Sequence, residues 1–216
     1  MFNFFCARLA STSYSLSMMY SYTKGEISMN ESEYKFYLES KKCFKERNIE
    51  KALEILESLA KVKNKNAIFD LGMVYFNGEY VTKNLKKAVN LLLLSGDLGF
   101  KEAYFQLGML YYKEYKDINE AERFFFKCND GKSKFYIGLL NYLYLSKNKG
   151  FIYFTYASKC HYHLGEYYLA KCLIDGEGVK KDLNKGIYYL ELALKNNVED
   201  IYNLKEKVNR YKCINY

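Results

Sequence analysis

The chain has 216 residues, is 50% hydrophobic and 27% charged, and carries a formal charge of +8, a balance that excludes an intrinsically disordered chain. It contains no proline, which argues against an all-β fold and for helix nearly throughout, because proline breaks helix interiors and marks turns. The basic residues are almost all lysine, interleaved with acids as between Lys41 and Glu57, and this argues against nucleic-acid readout, which favours arginine.

Taken in chain order, residues 1–28 are poor in acids and dense in serine from Ser11 to Ser21. The segment 1–29 is therefore expected to be poorly ordered or targeting-like, with a start at Met29 as the alternative. The protein is expected in the cytoplasm, with organelle or secretory targeting by residues 1–28 left open. No run of 18 apolar residues occurs, so no transmembrane helix is expected.

From Asn30 onward the chain repeats itself. Leu71-Gly72-Met73-Val74-Tyr75 returns as Leu107-Gly108-Met109-Leu110-Tyr111, with weaker copies at Ile137-Gly138 and Leu164-Gly165; the glycines are 36, 30 and 27 residues apart. A second marker, a small residue opening an apolar run, falls at Ala52, Ala88, Ala121, Gly150 and Gly186. Two markers alternating at this period describe a helix-turn-helix unit used about five times. Ala67, Leu71 and Tyr75 form one apolar stripe at i, i+4 and i+8. Glycine in a helix interior costs roughly 1 kcal/mol relative to alanine, so Gly72, Gly108, Gly138 and Gly165 imply close approach of a neighbouring helix.

The last unit runs Asp175-Gly176-Glu177-Gly178-Val179-Lys180-Lys181-Asp182 into Gly186-Ile187-Tyr188-Tyr189-Leu190. Gly176 and Gly178 can take positive φ to reverse the chain, and Val179 can plug the gap between helices. These motifs resemble the Sel1-like repeat, over about residues 30–197. The copy at Asn77-Gly78-Glu79-Tyr80-Val81 has Tyr in place of the second glycine, and the units at 103–132 and 133–159 have shortened turns. Residues 31–64 match only as a helical hairpin and could equally be tetratricopeptide-like. The expected fold is all-α: a right-handed superhelical solenoid of about five helix-turn-helix repeats over 30–197, with a C-terminal capping helix and tail over 198–216, where Val198, Ile201, Leu204, Val208 and Tyr211 recur at helical spacing.

The resemblance implies a scaffold or adaptor, as in ubiquitin-ligase adaptors, chitin synthase activators and bacterial host-interaction factors. Some family members staple each repeat with a disulfide, but Cys6, Cys43, Cys128, Cys160, Cys172 and Cys213 are not paired within units. Cys160-His161 and His163 do not make a metal site at helical spacing. No catalytic residue, metal or cofactor is expected, nor a small-molecule substrate; the carboxylates Asp175, Glu177 and Asp182 belong to a turn the motif already explains. The expected partner is an unidentified protein, gripped as a peptide or helix along a helix-lined face. Its candidate residues form an aromatic–methionine ladder on the first helix of each unit: Phe69, Met73, Phe76; Phe105, Met109, Tyr112; Phe135, Leu139, Tyr142; and Tyr162, Glu166, Leu169. The competing reading of the ladder is interior packing. The alternative function is a divergent repeat protein whose basic surface engages acidic partners, a membrane surface or nucleic acid.

Overall fold

The computed structural model of the chain describes residues 31–195 together with Glu206 and Asn209. The segment expected over 1–29 lies outside the described residues, and so, those two positions apart, does the capping helix. Ten α-helices follow one another with no strand among the described residues: α1 Glu31–Lys45, α2 Ile49–Lys61, α3 Lys65–Asn77, α4 Leu85–Asp97, α5 Lys101–Leu110, α6 Ile118–Cys128, α7 Gly131–Leu140, α8 Lys147–Lys159, α9 His163–Asp175 and α10 Leu183–Lys195. They form five hairpin repeats. The chain divides into two compact units, one ending at Asn64 and one beginning at Lys65.

In the first unit, α1 and α2 pack as a single hairpin that turns through Arg47 at φ 59°. Tyr37, Ser40 and Cys43 recur every three residues on the buried side of α1, and Ala52, Leu56 and Leu59 follow at four and three on α2, the spacings of one helix face. Glu39 and Lys51 pair across the hairpin at 2.6 Å.

In the second unit, four hairpins stack so that α4 packs on α5, α6 on α7 and α8 on α9. Each second helix starts the same way. The side chain of Asn84, Asp117, Ser146 or Asp182 accepts a hydrogen bond from the backbone N–H three residues on, at 2.9 to 3.4 Å, and Asn48 does so for α2. This satisfies a donor that the first helical turn leaves without a partner. One turn later comes the small residue of the repeat: Ala52, Ala88, Ala121, Gly150 or Gly186, each buried. Four residues further on stand Leu92, Phe125, Phe154 and Leu190, at most 2% exposed. These side chains fill the space that the first helices leave open. A Cβ built on Gly108 would lie 2.5 Å from Phe125, and one on Gly138 would lie 2.8 Å from Phe154, so the glycines admit aromatic rings where no other residue could.

The fifth repeat corrects one expectation. Gly78 and Gly176 both end their helices in the left-handed conformation, at φ 69° and 76°. Counting back six residues from each aligns Gly72 with Ala170. Ala170, packed with Ile174 and Leu190, is therefore the fourth copy of the close-packing residue. Gly165 instead takes the place of Ala67, Ala103 and Ser133, one turn earlier, and it abuts Ala157 of α8. His161 lies in a left-handed turn at φ 55° and His163 opens α9, so the two do not share a helix.

The two middle repeats end their first helices differently. After α5 and α7 the chain widens into single π-helical turns, Tyr111–Tyr115 and Asn141–Leu145, where the second and fifth repeats have the open turns 78–84 and 176–182. The Asp117 N–H reaches the Tyr111 carbonyl at 3.0 Å, and the Ser146 N–H reaches that of Asn141 at 2.7 Å. A π-turn thus supplies the reversal that glycine supplies elsewhere.

Candidate interaction surface

The first helices α5, α7 and α9 each pack between the helix before and the helix after, and α3 packs on α4. Phe69, Phe105, Phe135 and Tyr142 are 8%, 3%, 2% and 8% exposed. Phe69 meets Phe100, Phe105 meets Phe125 and Tyr136, and Phe135 meets Phe154 and Tyr168, at ring separations of 4.8 to 5.9 Å. These four ladder residues are interior packing and present no face to a partner. Two positions of offset on a helix leave solvent only when the opposite side is bare, and here another repeat covers it.

The rest of the ladder divides. By the register that aligns Ala170 with Gly72, its fourth rung is Tyr167, Lys171 and Ile174, in place of Tyr162, Glu166 and Leu169. Tyr162 stands at the N-terminus of α9 with its ring 5.5 Å from Phe135, and burial pushes its phenol well above the usual range. Met73, Phe76, Met109 and Tyr112 are half-buried and lie toward the edge of the stack where first helices turn into second helices.

That edge is knitted across repeats by polar contacts. Lys83, from the open turn of the second repeat, lies 5.7 Å from the Phe76 ring and pairs with Glu114 of the next repeat at 2.9 Å. The Tyr112 and Tyr144 rings are 6.4 Å apart, with hydroxyls 3.4 Å from each other, and so link the two π-turns. Glu177 accepts from the Tyr142 hydroxyl and pairs with Lys147 at 2.7 Å, while the Asn148 side chain donates to the Gly178 carbonyl at 3.1 Å. Gly178 has φ 74°, and Val179 packs into the cluster of Phe135, Tyr142 and Phe154, as a plug between helices would. The expected turn glycines thus reverse the chain and also seat the turn on α8. A groove of about 350 Å³ opens at the same edge between Lys86, Val89, Asn90, Tyr111, Tyr115 and Asp117. Burial and the nearby Glu120 carboxylate push the Tyr111 phenol up.

A recurrent helical hairpin with small residues at fixed places, a side-chain cap on every second helix and a glycine-closed turn defines a close-packed helical repeat protein. The Sel1 repeat matches residues 35–62, 65–100, 101–127 and 163–198, more than half of the chain, and the protein belongs to that family. The match at 35–62 also assigns the first hairpin to it. The fold is similar to that of a Sel1 repeat protein from Oxalobacter formigenes, with TM-score 0.66 and 18% identity over 78% of this chain and 75% of that one. It is similar as well to a protective antigen of uropathogenic Escherichia coli that displays an SLR fold, with TM-score 0.61 and 20% identity over 68% of this chain and 33% of that one. An immunity protein of Pseudomonas aeruginosa aligns with TM-score 0.51 and 18% identity, over 82% of this chain and 69% of that one. No curated protein sequence matches the chain.

Proposed function

We infer that the protein is a non-catalytic scaffold that holds another protein at the turn edge of its repeat stack. The observation that supports this is the run of partly exposed Phe76, Met109 and Tyr112 on successive repeats, with Lys83 and Glu114 bridging between them. Aromatic side chains anchor interfaces, and methionine adapts to an uneven apolar partner. The family's typical role as an interaction scaffold points the same way. Adaptor work in ubiquitination or cell-wall synthesis would be one use of such an edge.

The test compares affinity capture by the full chain with capture by Phe76→Ala/Met109→Ala/Tyr112→Ala, after circular dichroism shows that the variant is helical and unfolds cooperatively. The reading expects a partner retained by the wild type and lost by the folded variant. Equal capture by both would move the partner to another surface.

A further inference from the structure

The fourth repeat, α7 and α8, is the one hairpin the family pattern passes over, and its chemistry differs from that of its neighbours. From Gly131 to Gly165 there is no acidic residue, while Lys132, Lys134, Lys147, Lys149 and Lys159 all fall there. The third repeat, 101–128, and the fifth, 163–195, each carry five basic and five acidic residues. Among these three stacked repeats, the charge imbalance is confined to the fourth. Lys132 and Lys147 turn to Glu102 and Glu177 on the flanking repeats. Lys149 and Lys159 have no acidic group within ion-pair distance among the described residues.

The same repeat exposes its apolar side chains. Leu143, Tyr144 and Leu145 close the π-turn at 39%, 55% and 58% exposure, and Ile152 and Tyr156 are exposed one turn apart on α8. Three consecutive exposed apolar residues at the end of a helix point in different directions. They make a protruding tip, which suits a fluid apolar medium better than the shaped pocket of a folded partner. On α8, Lys149, Ile152, Tyr156 and Lys159 follow at spacings of three and four, an apolar centre between cationic ends. Lysine beside exposed leucine and tyrosine is the combination that binds the interface of an anionic bilayer.

We propose that the fourth repeat docks on an anionic lipid surface, with Leu143, Tyr144 and Leu145 inserted among the headgroups and Lys149 and Lys159 meeting lipid charge. The tip shares the turn edge with the candidate partner site, where Tyr144 meets Tyr112, and the variants below separate the two readings. The full chain is sedimented with phosphatidylcholine vesicles and with vesicles that also contain phosphatidylserine, at low and high salt. Binding is expected on the anionic vesicles only, and to weaken with salt. A lysine near an anionic surface contributes about fivefold, so Lys149→Glu/Lys159→Glu is expected to weaken binding at least about 25-fold. Leu143→Ser/Leu145→Ser is expected to weaken it by about tenfold or more, and Phe76→Ala/Met109→Ala, which leaves the Tyr112–Tyr144 contact in place, to leave it unchanged. Both tip and lysine variants change exposed positions, and circular dichroism checks their fold. The proposal is overturned if anionic and neutral vesicles bind alike, or if both variants bind as the wild type does. It is also overturned if the wild type is a dimer that Leu143→Ser/Leu145→Ser turns into a monomer, because the tip is then a contact between copies.

Discussion

The Asn148 side chain donates a hydrogen bond to the Gly178 carbonyl at 3.1 Å, so the glycine turn of the fifth repeat is seated on the first turn of α8 in the fourth. Gly178→Ala must therefore strain the backbone at φ 74° and also drive a methyl group into the backbone of Lys147. Gly99 has φ 90° with nothing within 4 Å of an added Cβ. Gly99→Ala is expected to cost about 1–2 kcal/mol from left-handed strain alone, and Gly178→Ala clearly more. Urea denaturation of the two variants measures the difference; equal costs would mean that the turn is not seated on α8.

Close packing between helices makes a graded prediction. An added methyl at Gly108 meets the Phe125 ring at 2.5 Å, whereas at Gly72 it meets the end of the Leu92 side chain at 3.0 Å. A flexible leucine can yield where a buried ring cannot. Gly108→Ala is expected to destabilise by about 1–3 kcal/mol. For Gly72→Ala the gain in helix propensity, about 1 kcal/mol, offsets much of the strain. Equilibrium unfolding should rank them in that order.

How far the sequence carried is clearest at these same positions. The markers at Gly72, Gly108 and Gly138 were legible because glycine within an apolar helix is costly and rare. Ala170 was not, since alanine is at home in any helix, and Leu164-Gly165 nearby offered a false copy. Only the distance back from Gly176 separates the two. The buried rungs of the ladder failed for a different reason: Phe69, Phe105 and Phe135 have the periodicity of an exposed stripe, but periodicity within one helix does not count how many neighbours that helix has. The capping residues Asn48, Asn84, Asp117, Ser146 and Asp182 could have been found, since each precedes its small residue by four.

Removal of one such cap should weaken the repeat it opens. Asp117→Ala leaves the Glu120 N–H without its acceptor and is expected to cost about 1 kcal/mol, with Asp117→Ser restoring most of it. Thermal unfolding of the pair separates the cap from any general effect of substitution.

Asp182 gives the cap on α10 a pH dependence. The Lys185 backbone N–H, then the Lys185 ammonium, hold its carboxyl below the usual carboxylate range. A depressed folded-state pKa stabilises above the unfolded value, and the contribution is lost as pH falls through the folded one. Asp182→Asn keeps a capping oxygen but no charge. The melting temperatures of wild type and Asp182→Asn are therefore expected to differ at neutral pH and to converge on acidification; a gap that stays constant with pH would remove the charge from the account.

The thiols should differ in reactivity. Cys160 is exposed, while Cys43, Cys128 and Cys172 are buried. Burial pushes the Cys128 and Cys172 thiols up to about 11 and about 12, so both are protonated at pH 8 and are poor nucleophiles. Peptide mapping after brief iodoacetamide treatment of the folded protein is expected to find Cys160 alkylated and those three protected until denaturant is added.

The turn edge has a freedom that the core lacks. Sixteen residues separate Gly72 from Ala88 and Ala170 from Gly186, but thirteen separate Gly108 from Ala121 and twelve separate Gly138 from Gly150. The packing of Gly72 on Leu92, Gly108 on Phe125, Gly138 on Phe154 and Ala170 with Leu190 is kept in every case, and a π-turn or a glycine turn absorbs the change in length. Chain can thus be gained or lost at this edge without re-registering the helices. A family built this way can alter its rim one repeat at a time while the stack beneath stays the same.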